Sequence, residues 1–133
     1  MNYHLNIKEI RKLSETEFEL EVTYTFTTSV KLPKLLMEKL ESIAKEQKVT
    51  KGDLIRGWIY SFLALNPAEQ DVIIKTYSKI ELKDRKIFGI RLVDEVLNEL
   101  DEIARRNNVS RSDVIRSIMV FKIEGYERSG GFD

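Results

Sequence analysis

Few side chains in this chain are equipped to make or break covalent bonds. Among its 133 residues there is no cysteine and one histidine, His4. The sequence contains no Gly-rich phosphate loop and no metal-spaced cluster, so nucleophilic, acid–base and metal-assisted catalysis lack their usual groups. An enzyme is not expected, and no cofactor, metal or small-molecule ligand is implied. What recurs at regular spacing is recognition chemistry. Thr50-Lys51-Gly52-Asp53 and Ser110-Arg111-Ser112-Asp113 share the form Ser/Thr-x-x-Asp, a capping box that opens a helix. The free N–H groups and the dipole of a helix start favour an anion. Thr50, Lys51 and Gly52 form one such candidate site, and Ser110, Arg111 and Ser112 form another. Two short alternating runs carry the second set. Thr27, Ser29 and Lys31 share one face of an extended segment, as do Ile87, Gly89 and Arg91.

These groups stand at matching places in an internal repeat. Val30 to Tyr60 aligns without a gap on Ile90 to Val120, at an offset of 60 residues. Identities fall at Leu32/Leu92, Leu40/Leu100, Ile43/Ile103, Ala44/Ala104, Val49/Val109, Asp53/Asp113, Ile55/Ile115 and Arg56/Arg116. Each copy begins with a strand pattern: Phe26, Thr28, Val30 and Leu32 in the first, Phe88, Ile90 and Leu92 in the second. A helix follows, with Leu36, Leu40, Ile43 and Ala44, or Val96, Leu100, Ile103 and Ala104, at helical spacing. Pro33 suits the first turn of that helix in the first copy. A short polar turn leads into the capped second helix, which is apolar over a wide arc.

Outside the copies, residues 3–12 and 17–25 are expected to form a β-hairpin, although a short helix fits 5–13 nearly as well. Asn66-Pro67 is expected to open a linker helix over residues 67–79, with Val72, Ile73, Thr76 and Tyr77 buried. Residues 128–133 look like a frayed end. The expected division is an extension over 1–25, a first module over 26–65, a linker over 66–82, a second module over 83–126 and a tail over 127–133.

Composition narrows the classes. Hydrophobic residues make up 42% and charged residues 33%, enough apolar material for a core. Lys and Arg number 22, as do Asp and Glu, and residues 83–128 carry ten basic against nine acidic residues. This balance counts against binding to nucleic acid by overall charge alone, so any such binding must come from placed residues. No apolar stretch approaches the roughly 18 residues needed to cross a bilayer. The first residues carry charges where a signal peptide needs an apolar run. A cytoplasmic protein is expected, and richness in Ile, Lys and Glu is of a thermophile kind.

Strand, helix, capped turn and apolar helix, twice in register over residues 26–62 and 86–122, resemble the ribbon-helix-helix superfamily of Arc, MetJ and CopG repressors. The tandem layout is similar to regulators carried by archaeal viruses and plasmids. The resemblance implies an α+β fold in which two tandem modules pair as a pseudo-dimer. Their strands would form an antiparallel ribbon that enters the major groove of double-stranded DNA. Carried over by position, it makes Thr27, Ser29, Lys31, Ile87, Gly89 and Arg91 the base readers. The same carry-over makes the two helix starts the phosphate contacts. Ile87 and Gly89 depart from the family's polar triad, Ile87 offering only apolar contact and Gly89 no side chain. A transcriptional regulator is implied, with self-association to a homodimer or higher oligomer. A linker of about 22 residues tethers the copies at roughly millimolar effective concentration, which favours pairing within one chain.

Other readings account for less. A helix-turn-helix is compatible with the spacing of Ala44 and Leu54 and of Ala104 and Val114. It leaves the strands unexplained, and its recognition helix needs a polar face that neither second helix has. An antitoxin-like protein–protein module lacks a partner-binding tail here. A non-specific DNA-coating protein is kept open by Ile87 and Gly89.

Overall fold

The computed structural model describes residues 3–12, 18–79 and 83–130. In chain order it contains β1 (Tyr3–Lys12), β2 (Phe18–Pro33), α1 (Lys34–Gln47), α2 (Lys51–Leu63), α3 (Pro67–Tyr77), β3 (Arg85–Val93), α4 (Asp94–Arg106) and α5 (Arg111–Arg128). The class is mixed α and β, with one antiparallel sheet in the order β1-β2-β3. The turn joining the expected hairpin, at residues 13–17, lies outside the described residues.

β2 is a single strand of 16 residues, and the expected division between residues 25 and 26 falls inside it. Its first half pairs with β1, from Phe18 opposite Lys12 to Phe26 opposite Tyr3. Its second half pairs with β3, from Thr25 opposite Val93 to Pro33 opposite Arg85. The two pairings overlap only at residues 25 and 26, so beyond them the sheet is a two-stranded ribbon.

The register of that ribbon has internal symmetry. The residue numbers in every β2–β3 pair add to 118, so Thr27 faces Arg91, Ser29 faces Gly89 and Lys31 faces Ile87. Exchanging each residue for its counterpart 60 positions away maps this pairing onto itself. A pseudo-two-fold axis therefore passes between Ser29 and Gly89. β2 and β3 thus pair within one chain, as a short tether favours.

Period-two alternation puts Val30, Leu32, Ile90 and Leu92 on the inner face, where all four are buried. The helices supply matching buried pairs: Leu40 and Leu100, Ile43 and Ile103, Ile55 and Ile115, Ile59 and Met119. The turn between the helices also recurs. Lys48 and Asn108 both take left-handed backbone, at φ of 58° and 56°. The N–H groups of Val49 and Val109 then reach back to the carbonyls of Ala44 and Ala104, at 3.0 and 2.9 Å. These bonds use carbonyls that a helix end otherwise leaves open.

Three local expectations are corrected. Pro33 sits one place earlier than the first turn, closing β2 and occupying the N-cap of α1. In α3 the buried residues are Gln70, Ile73 and Ile74, whereas Val72 is 63% exposed and Thr76 is exposed. The cause is Gln70, whose amide donates to the carbonyls of Phe62, Leu63 and Leu65 at 3.2–3.4 Å. This turns α3 onto the 70, 73, 74 and 77 stripe. Finally, α5 runs to Arg128, beyond the expected start of the tail at 127.

Candidate nucleic-acid interface

The outer face of the ribbon is a grid of three facing pairs. Ser29, Lys31, Gly89 and Arg91 are exposed, Thr27 is half-buried, and Ile87 is 69% exposed. Lys31 and Arg91 stand at diagonally opposite corners, related by the pseudo-axis. Gly89 leaves room at the centre, where a Cβ would meet the Thr27 methyl at 3.4 Å. The same alternation continues to Arg85, an exposed cation opposite Pro33 that had no place among the candidates above. Extending the period-two pattern one step toward the start of β3 would have found it.

The helix starts are built as the sequence implies, with one difference. Ser110 and Asp113 form the full reciprocal capping box. Thr50 accepts from the Asp53 N–H at 3.0 Å, and the Asp53 carboxylate pairs with Arg56 at 2.5 Å; the first cap shows only this half of the box. The first-turn N–H groups of Lys51 and Gly52, and of Arg111 and Ser112, have no acceptor within their helices by construction.

The cations beside those N–H groups are already paired. Lys51 Nζ lies 3.4 Å from Glu41 and 5.7 Å from the centre of the Phe88 ring. Arg111 grips Asp101 through two bonds of 2.6 Å and reaches Thr28 Oγ1 at 3.4 Å. Each partner of Arg111 lies 60 residues from the corresponding partner of Lys51. Arg111 is therefore held by Asp101 of α4 and Thr28 of β2, while Lys51, whose ion pair is longer, is the freer of the two.

A second pair of cations, both arginines, ties the ribbon to the helices across the axis. Arg56 donates to the backbone carbonyl of Arg91 at 3.3 Å, and Arg116 donates to that of Lys31 at 3.4 Å. Arg56 is held by Asp53 and Arg116 by Asp113, at i,i+3 spacing in both helices. The two carbonyls belong to the cationic corners of the outer grid. Sequence reasoning gave Asp53 and Asp113 only a capping role and gave Arg56 and Arg116 none, yet Asp53/Asp113 and Arg56/Arg116 are the charged identities of the repeat.

The carboxylates in these pairs are tuned downward. The Arg56 and Thr50 hydrogen bonds hold Asp53 below its ordinary range, and those from Arg106 and Asn107 do the same for Asp71. Burial pushes Asp113 up, but the Ser110 backbone and hydroxyl bonds and the Arg116 guanidinium outweigh it and leave the carboxyl low. Folded-state values below the unfolded ones mean that the stabilisation is present above the unfolded carboxylate pKa. It disappears as pH falls through the folded values. The melting temperature should therefore hold between about pH 7 and 5 and drop below about pH 4. Asp71→Asn should lower the neutral-pH value and flatten the acid slope. A melting temperature unchanged down to about pH 2.5 would contradict this assignment.

Among the described residues no helix is long and apolar enough to cross a membrane. Residues 86–118 match the family model described as "Ribbon-helix-helix protein, copG family". The matched stretch runs from β3 through α4 into α5, so that unit of the chain is similar to the family. No curated protein and no solved structure matches the chain.

Proposed function

We propose that this chain is a sequence-specific DNA-binding transcriptional regulator that inserts the β2–β3 ribbon into the major groove. Members of the family that residues 86–118 match are typically DNA-binding regulators. The proposal extends that likeness to the first copy, so that β2-α1-α2 and β3-α4-α5 act as two tandem modules of one pseudo-dimer. The observation that carries it is the ribbon. From residue 27 onward it is two strands wide, buried on one face, and lined on the other by side chains among which the donors Ser29, Lys31 and Arg91 are exposed. A two-stranded ribbon fits the major groove, and Arg or Lys can donate to guanine O6 and N7 there. Two chains side by side would lengthen the short site that one ribbon covers.

Phosphates would be held at the starts of α2 and α5, through first-turn N–H groups assisted by Lys51. Because Asp101 already takes up Arg111, Lys51 is the better probe of this grip. Removing Arg91 should cost roughly 1–3 kcal/mol on a selected site and relax preference at one base position. Lys51→Ala should weaken all duplexes alike and lower the salt slope by about one. Titration of both variants against a selected and a scrambled duplex, at several salt concentrations, separates the two roles. Equal loss on both duplexes for Arg91→Ala would favour a non-specific coating protein. No loss from either variant would remove the ribbon from DNA binding altogether.

A further inference from the structure

Resting on that reading, the ribbon carries an asymmetry that its scaffold does not. The supporting contacts obey the pseudo-two-fold: Arg56 to the Arg91 carbonyl and Arg116 to that of Lys31, Lys51 with Glu41 and Arg111 with Asp101. The cationic corners obey it as well, since Lys31 and Arg91 are counterparts. The symmetry fails at the other outer counterparts, most strongly where Thr27 corresponds to Ile87 and more mildly where Ser29 corresponds to Gly89, and at the flank, where Thr25 corresponds to Arg85. Thr27 presents a hydroxyl and is half-buried, whereas Ile87 presents only methyl and methylene groups and is 69% exposed. A large aliphatic side chain held that far into solvent on the recognition face has no core to serve.

We infer that one ribbon recognises a non-palindromic DNA subsite, bound with a fixed polarity, in which Ile87 packs on the C5-methyl of a thymine. The opposite end, with Thr27 beside Arg91, takes a base edge that accepts hydrogen bonds. In the major groove the thymine methyl is the one apolar group that a base pair offers, so it is the partner that an exposed aliphatic residue can distinguish. The Ile87 end also carries Lys31 and Arg85, so phosphate attraction is stronger there. A chain docked with this polarity always turns α3, which packs mainly on α5, the same way relative to its site.

The test begins with selection of duplexes from a random pool by the wild-type chain, followed by replacement of single thymines with deoxyuridine, which removes the methyl and nothing else. Within the stretch protected by one ribbon, the selected sequence should not be self-complementary. One thymine-to-uracil change should weaken wild-type binding about fourfold, the equilibrium effect of roughly 0.8 kcal/mol for one buried carbon. The same change should leave Ile87→Thr unaffected, and Ile87→Thr should itself select a more nearly self-complementary subsite. Ile87 is exposed, so that variant should melt with the wild type. A self-complementary subsite for the wild-type chain, or equal uracil penalties for wild type and Ile87→Thr, overturns the inference and leaves DNA binding by the ribbon intact. Failure to enrich any sequence, with no binding to any duplex, removes the functional proposal and this inference together.

Discussion

Replacing Asp113 with alanine is expected to destabilise the fold by about 3–5 kcal/mol, the range for stripping one partner from a buried ion pair. The charge left behind is Arg116, which is only 5% exposed. Its Nε has no hydrogen-bond partner among the described residues, so the guanidinium depends on Asp113 and on the Lys31 carbonyl. Asp113 also accepts a hydrogen bond from the Ser110 N–H, which the substitution removes. The repeat supplies an internal control. Asp53→Ala breaks the corresponding pair, but the Arg56 side chain is 32% exposed and water can replace its partner. That variant should cost much less than Asp113→Ala. Equilibrium urea unfolding of both variants measures the difference. Equal losses would show that the two arginines are solvated alike. A double variant, Asp113→Ala with Arg116→Met, should recover part of the loss, because the buried charge leaves with its partner.

Truncating Ile115 to alanine should cost on the order of 2–5 kcal/mol, through lost apolar burial and the cavity left behind. Ile115 is fully buried, and Ile55, its counterpart in α2, is 1% exposed, so Ile55→Ala should fall in the same range. The ribbon makes the contrast sharp. Ile87 is equally large and apolar, but it stands on the outer face, and Ile87→Ala should change stability by no more than about 0.5 kcal/mol. Thermal melting of the three variants side by side distinguishes core from recognition face. Wild-type melting by Ile115→Ala would mean that the helices do not share the core described above. A large loss for Ile87→Ala would mean that the outer face of the ribbon is covered.

Part of the site was legible because it rests on short periods. Alternation at period two is enough to separate Thr27, Ser29 and Lys31 from Val30 and Leu32, whatever the strand later pairs with. Ser/Thr-x-x-Asp places a helix start within a residue, because the cap is satisfied by groups three positions apart. Where local rules were pressed further they failed. The Thr50 box keeps only the half in which the Thr50 hydroxyl accepts from the Asp53 N–H, although Asp113, with the same arginine partner one turn along, completes its box. The face of α3 was misassigned because hydropathy favours Val72, while the open carbonyls at the end of α2 favour burying Gln70.

What the sequence determined by itself is the grammar of each copy: an alternating strand, two helices, a capped start, and the 60-residue offset that brings Ile55 and Ile115 to equivalent places. Those features depend on neighbours within a few residues along the chain. The tertiary structure alone decided the partners. It set β2 against β3 in a register centred on Ser29 and Gly89, and it ran β2 without a break into the pairing with β1. It folded Arg111 back onto Asp101, and it sent Arg56 and Arg116 across the axis to the opposite strand. A pattern of apolar and polar positions states which face must be covered, but not by what. The covering element is chosen when strand edges, buried charges and apolar faces are satisfied together, over separations of 35 to 85 residues in the case of these two arginines.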